Sequence, residues 1–270
     1  MGKGAVMPKP YIIAFANQKG GVGKTTSCVN IASAAAAKGL RVLLIDSDPQ
    51  GNTTSGVGIA KKSIGKTVYD ALLDDSLRET PAVCVLPTAF KNLSLIPSNI
   101  QLAGAELELY DVEHRERRLR TFLEGLDGYE LILIDCPPSL SMLTVNALTA
   151  ADGVVIPMQC EYYALEGLTQ LMMTISKVKK LYNPELTVLG ILITMYNGRL
   201  NLSSAVLGEI KKYYGDKLIG TAIPRSVKLS EAPGFGQPIN YYDKYSKSAE
   251  SYEIVTDELL RRIGLVPMAL

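Results

Sequence analysis

The sequence of 270 residues predicts an α/β fold, with one mostly parallel, twisted sheet carrying helices on both faces. Short runs rich in Val, Ile and Leu alternate with helical patterns along the chain, as they do where strands are buried on both faces. A glycine-rich turn joins the first such run to the first helical pattern, and two later runs each end on an aspartate. A sheet whose strands deliver glycines and carboxylates at one end is a ligand-binding sheet.

Strands are expected at 11–17, 41–47, 92–97, 130–136, 153–158, 187–196 and 218–224, and helices at 25–38, 141–151, 164–182, 201–214 and 246–263. Residues 50–90 are less regular and rich in Gly, Ser and Thr, so loops and a short helix are expected there. Residues 1–10 read as a flexible N-terminal arm, 11–263 as a single folded domain and 264–270 as a C-terminal tail.

Composition narrows the function classes. At 47% hydrophobic and 20% charged residues the chain is of ordinary globular type. No apolar run reaches the roughly 18 residues of a spanning helix. The start, MGKGAVMPKP, lacks the apolar centre of a secretory signal, so a cytoplasmic location is expected. Cys28, Cys84, Cys136 and Cys160 form no CxxC pair and read as free, buried thiols. The single histidine, His114, lies in the charged run EHRERR and excludes a metal site built on histidines. A net charge of +1 does not forecast nucleic-acid binding, which would need a local patch.

The first strand, Tyr11-Ile-Ile-Ala-Phe-Ala16, runs into Asn-Gln-Lys19-Gly20-Gly21-Val22-Gly23-Lys24-Thr25-Thr26 and then a helical pattern. Strand, glycine-rich turn and helix make a phosphate cradle: backbone N–H groups point inward and the helix N-terminus adds partial positive charge. Lys24 is placed to reach the β- and γ-phosphates of a nucleotide, and the Thr25 hydroxyl to ligate Mg²⁺. Glycine is required because a Cβ would hold the backbone off the phosphates. The general pattern GxxxxGK(S/T) would put its first glycine at position 18, which holds Gln18, followed by a second lysine, Lys19. From the residues alone Lys19 is either a solvated lysine beside an anion site or a working charge.

The second strand ends Ile45-Asp46-Ser-Asp48-Pro49-Gln50-Gly51, bringing two carboxylates to the sheet end. Asp48 is either a turn-former before Pro49 or part of the chemistry. Leu131-Ile-Leu-Ile-Asp135 has the pattern of a Walker B strand, whose aspartate holds Mg²⁺ through a water. Thr25 and Asp135 suffice for Mg²⁺, which keeps most of its waters and phosphate ligands. Pro137-Pro138 ends that strand and sets a loop near the γ-phosphate.

KGGVGKT resembles the deviant Walker A motif of the ParA/MinD branch of P-loop ATPases, and DSDPQGN resembles that branch's second motif. The segment Ile223-Pro224-Arg225-Ser-Val-Lys228-Leu-Ser-Glu-Ala-Pro is similar to its IPRxxxLSEAP segment, though Gly234-Phe235 departs from the usual continuation. The likeness runs from about 11 to 262 and implies a P-loop fold binding ATP and Mg²⁺. It implies that Lys19 crosses a dimer interface to the partner's nucleotide, as an arginine finger does elsewhere. It also implies that Asp48 positions or activates the attacking water, that Asp46 supports the Mg²⁺ site from behind, and that Pro224 and Arg225 lie near the adenine.

Within this branch three readings compete. A ParA/Soj-type partitioning ATPase forms an ATP-bound homodimer that binds double-stranded DNA nonspecifically on the nucleoid. A centromere-binding partner of the ParB type resets it. A MinD-type regulator cycles on membranes through a helix basic on one face and apolar on the other. A metabolic or electron-transfer enzyme, such as a nitrogenase iron protein, needs cysteines spaced for a cluster, and PPSLSMLT after Cys136 holds none. The last helical pattern carries Glu250, Glu253, Asp257 and Glu258 and a proline follows it, which argues against membrane targeting. From Arg199 to Lys228 there are six basic residues against two acidic ones, a patch able to attract phosphate or simply a solvated face. The resemblance implies DNA contacts at Arg199, the arginine of MYxxR, and at Lys228, where lysine replaces arginine and loses its bidentate fork. The first reading is the one the sequence favours.

Overall fold

In the computed structural model the described residues are 9–265, so most of the expected N-terminal arm and C-terminal tail lies outside them. The strands are β1 (Tyr11–Phe15), β2 (Val42–Asp46), β3 (Leu86–Pro87), β4 (Leu93–Ile96), β5 (Leu131–Asp135), β6 (Gly153–Met158) and β7 (Thr187–Ile193). They form one sheet in the order β3-β4-β2-β5-β1-β6-β7, parallel throughout except for the β3–β4 pair. The helices are α1 (Lys24–Ala37), α2 (Asn52–Gly56), α3 (Val68–Leu73), α4 (Ala105–Glu108), α5 (Arg118–Leu123) and α6 (Met142–Ala150). They continue as α7 (Ala164–Leu181), α8 (Asn201–Tyr214), α9 (Val227–Glu231), α10 (Ile239–Tyr242) and α11 (Lys247–Arg262).

The strands form where the apolar runs are because both faces of the sheet are covered, and side chains alternate between two cores. Ile12, Ala14, Leu43, Ile45, Ile132 and Ile134 face a core closed by α3, α5, α6, α7 and α8. Ile13, Phe15, Val42, Leu44, Leu131 and Leu133 face a second core closed by α1 and α11. Tyr252 of α11 is 1% exposed, and its hydroxyl lies 3.1 Å from Ser27 Oγ of α1, which satisfies both buried oxygens.

Two sequence expectations are corrected. Residues 218–224 form no strand: Leu218 and Pro224 make only isolated parallel bridges, to Ile191 and Tyr196. Ile191 O accepts from Ile219 N but Ile193 O accepts from Ile223 N, so four residues span what two span on β7 and the excess bulges out of the ladder, where the Gly220 N–H donates to Glu258 Oε2 at 3.0 Å. Residues 50–90 hold α2 and α3 as well as β3, whose two residues are too few to carry a periodic signal. Helix α3 is set by a capping box, with Thr67 accepting from Tyr69 N and Asp70 from Thr67 N.

Parallel pairing aligns the strand ends. Phe15 and Asp46 both stand opposite Asp135 in register, so the glycine turn after β1 and the two aspartates meet at one edge of the sheet. The chain leaves β6 and β7 at that same edge, on the other side of β1.

Candidate functional site

The turn after β1 has the backbone shape the glycines were expected to permit. Gly21 and Gly23 adopt left-handed conformations with φ of 73° and 79°. Gly23 is the N-cap of α1, whose first turn carries no acidic residue, so its amides face an open anion position. A Cβ on Gly20 would lie 4.0 Å from Pro138 Cβ, which puts the Pro137-Pro138 loop against the glycine turn. Lys24 is buried, and its ammonium donates to Lys19 O at 3.1 Å. Burial pulls its pKa down, while the negative charge of Asp135 opposes that.

Asp135 is the hub. Its Oδ2 accepts from Thr25 Oγ1 and from Thr53 Oγ1, each at 2.7 Å. Its Oδ1 is buried and has no hydrogen-bond partner among the described residues. An unpartnered buried carboxylate oxygen is costly unless a cation or donor satisfies it. That atom, flanked by two hydroxyls and a phosphate cradle, makes the hard-oxygen set that suits Mg²⁺.

Asp46 is fully buried and accepts from Thr54 N at 2.8 Å and from Thr54 Oγ1 at 2.6 Å. Burial and then the neighbouring Asp135 charge push its pKa up to about 7, and burial lifts that of Asp135 to about 6. Asp48 is also buried. Its Oδ1 accepts from Gln50 N at 2.9 Å and its carbonyl from Gly51 N at 2.9 Å, so it does shape the turn before α2.

Beside the glycine turn, at the ligand edge, opens a cavity of about 830 Å³, larger than the one of about 390 Å³ lined by Pro10, Arg120 and Tyr129 among others at the start of the strands. The larger is lined by Gly23, Thr26, Thr194, Met195, Pro224 and Arg225 among others, so the structure brings the Pro-Arg segment to the glycine turn. Volume, lining and adjacency to the cradle suit a nucleoside. Met195, at its rim, holds a left-handed φ of 49°, uncommon for a residue with a side chain.

Lys19 is exposed and pairs with Glu161 of its own chain. Arg199 is exposed, and the backbone carrying it lies beside the segment carrying Lys228 through the Tyr196–Pro224 bridge and the bond from Tyr196 N to Ile223 O at 2.9 Å. Lys228 is not a bare cation: its ammonium lies 3.2 Å from Glu231 Oε2 and 5.6 Å from the centre of the Tyr242 ring. His114 is exposed and all four cysteines are buried free thiols, as expected.

Sequence reading passed over Thr53, Thr54, Thr194 and Gln159. Thr194 Oγ1 donates to Val22 O at 2.8 Å and lies 3.1 Å from Met158 O. Gln159 Nε2 donates to Gly21 O at 2.7 Å. The signal was available for the first two, which directly follow QGN at a strand end. For the other two only the pairing of β6 and β7 beside β1 shows what they touch.

The chain is similar to known proteins over most of its length. Residues 10–188 match the family described as AAA domain. The chain is 54% identical over 242 residues to the sporulation initiation inhibitor protein Soj of Bacillus subtilis (strain 168), covering 89% of this chain and 94% of that protein. It is 49% identical over 253 residues to the chromosome partitioning protein ParA of Myxococcus xanthus (strain DK1622), covering 93% and 88%. The solved structure of a cobyrinic acid a,c-diamide synthase from Mycobacterium smegmatis with bound ADP and magnesium superposes with a TM-score of 0.81 at 38% identity, covering 94% of this chain and 96% of that one. With the phosphate cradle, the paired aspartates and these relatives together, the chain belongs to the ParA/Soj family of chromosome-partitioning ATPases.

Proposed function

We propose that this protein is a Mg²⁺-dependent ATPase that segregates DNA, acting as an ATP-bound homodimer that binds double-stranded DNA nonspecifically. Slow hydrolysis, stimulated by a centromere-binding partner of the ParB type, resets it, and the ATP dimer resides on the nucleoid. The observation that carries the nucleotide reading is the Asp135 carboxylate, joined to Thr25 and Thr53 and left with one unpartnered oxygen beside Lys24 and the glycine turn. The partitioning relatives are 54% and 49% identical, against 38% for the diamide synthase, which favours segregation over a metabolic role.

In this reading the amides of Gly20, Gly21, Val22 and Gly23 and the first turn of α1 bind the phosphates, and Lys24 compensates the β/γ charge. Thr25 and Asp135 would hold Mg²⁺, with Asp46 behind them; bound there, the ion neutralises charge on the phosphates. Thr26 and the Pro224–Arg225 segment enclose the nucleoside. Asp48 orients the attacking water, and Lys19 of a second copy reaches the transferring phosphoryl group. Arg199 and Lys228, on neighbouring segments at the nucleotide edge, contact DNA phosphates. Two copies on one face double that patch, so a chain of net charge +1 gains DNA affinity only as a dimer. The apolar face of α11 is committed to the core through Tyr252, Val255, Leu259 and Leu260, and no described helix is long and apolar enough to cross a membrane.

A DNA mobility shift across a salt series, with ATP, with ADP and without nucleotide, tests the proposal. Binding should need ATP and fall with salt by a slope of about −0.9 per phosphate contact. Arg199→Glu with Lys228→Glu should abolish the shift while ATP-dependent dimerisation persists. Equal binding in all three nucleotide states would refute the switch.

A further inference from the structure

The chain leaving β6 grips the glycine turn at every second residue. Pro157 O accepts from Asn17 Nδ2 at 2.7 Å, Gln159 donates to Gly21 O at 2.7 Å, and Glu161 pairs with the Lys19 ammonium. Asn17 Oδ1 in turn accepts from Lys19 N at 3.0 Å, so both the backbone and the side chain of Lys19 are held within one subunit. Asn17 and Pro157 anchor this arrangement, because Asn17 is buried and bonded across the sheet edge. Lys19 and Glu161, by contrast, each have side chains 48% exposed and stand at the open rim.

A lysine paired with its own Glu161 is not available to a second nucleotide. We infer that Glu161 is a positioning residue that holds Lys19 in cis and thereby sets how readily ATP drives dimerisation. This rests on the reading that Lys19 acts across the dimer. Release of Lys19 from Glu161 is a cost of every dimerisation event, met once for each subunit. The pair is exposed and screened, so its effect is modest: roughly two- to fivefold on the dimer dissociation constant. The site therefore works as a threshold rather than a lock.

The test is sedimentation in Mg²⁺ and ATP of the wild type, Lys19→Ala, Glu161→Gln and the double variant, with unfolding midpoints checking that each folds. Glu161→Gln should tighten the dimer roughly two- to fivefold at low salt, with the gain shrinking as salt rises. In the Lys19→Ala background the same substitution should change nothing. An unchanged or weaker dimer for Glu161→Gln overturns the inference. So does a gain that persists without Lys19, since it would report only the loss of a negative charge near the phosphates. If Lys19→Ala dimerises as the wild type does, the trans reading itself fails and the inference falls with it. That result comes from a variant with Glu161 intact, so the two failures are told apart.

Discussion

Thr194 ties the phosphate turn to the sheet, and replacing it with valine isolates that tie. The residue is 3% exposed, and its hydroxyl donates to the Val22 carbonyl at 2.8 Å. Valine keeps the branched shape but sets a methyl where the oxygen was, and a carbon cannot approach a carbonyl oxygen that closely. The Val22 carbonyl loses its donor and must also retreat, whereas Met158 O keeps the Thr194 N–H at 2.8 Å. Breaking one buried hydrogen bond with its partner left unsatisfied costs about 1–2 kcal/mol. At roughly 2–4 °C per kcal/mol for a chain of this size, the unfolding midpoint should fall by about 2–8 °C. If the Val22 amide faces a phosphate, as proposed, a comparable loss on binding would weaken ATP roughly tenfold. Thr194→Ser keeps the hydroxyl and loses only the methyl packed 3.6 Å from where a Cβ on Gly23 would lie, so it should stay close to wild type. Calorimetric unfolding and nucleotide titration of both variants decide the matter. A Thr194→Val protein with wild-type midpoint and affinity would refute the restraint.

Other outcomes follow from the same geometry. Under the role proposed for Lys24, Lys24→Ala should lose nucleotide binding by at least about tenfold in titration, because among the described residues it is the one buried lysine. Under the role proposed for Asp48, Asp48→Ala should still bind ATP and dimerise in sedimentation but release phosphate at least tenfold more slowly, since the glycine turn survives the loss of that carboxylate. Burial pushes the Asp46 carboxyl up from 3.8 to about 7, so its buried charge should destabilise the nucleotide-free protein as pH rises through that window. Below about pH 4 the carboxyl is protonated in both states and Asp46→Asn should unfold with the wild type in chelator; the gap should open from there to about pH 7, leaving the variant the more stable by several degrees at pH 8. A gap that does not grow with pH would argue that Asp46 carries no buried charge. Mg²⁺ with ATP should narrow the pH 8 gap, because the ionised carboxylates then face a cation.

Much of this was readable in the sequence because it is local. An apolar run between glycines is a buried strand wherever it sits, and GGVGKT folds its own turn because Gly21 and Gly23 reach left-handed backbone that other residues avoid. A strand that ends on aspartate, as β2 and β5 do, presents that aspartate at the sheet's carboxyl edge whatever surrounds it. What failed had a nonlocal cause. Residues 218–224 carry the apolar content of a strand, but their register against β7 slips by two residues between the bonds of Ile219 N to Ile191 O and Ile223 N to Ile193 O, which only the pairing of distant segments reveals.

The sequence by itself therefore determined most of the elements, the left-handed glycine turn after β1 and the two aspartate-ended strands beside it. Only the tertiary structure decided who touches whom. Parallel pairing in the order β2-β5-β1-β6-β7 sets Asp135 between Asp46 and the glycine turn, and brings Thr53, Gln159, Glu161 and Thr194 to residues more than thirty positions away. Propensity and periodicity act over a few residues, whereas strand order is chosen by how the two cores close over the whole sheet. The same closure lifts the Asp46 and Asp135 carboxyls toward neutrality, since desolvation belongs to the packed molecule and not to any residue alone.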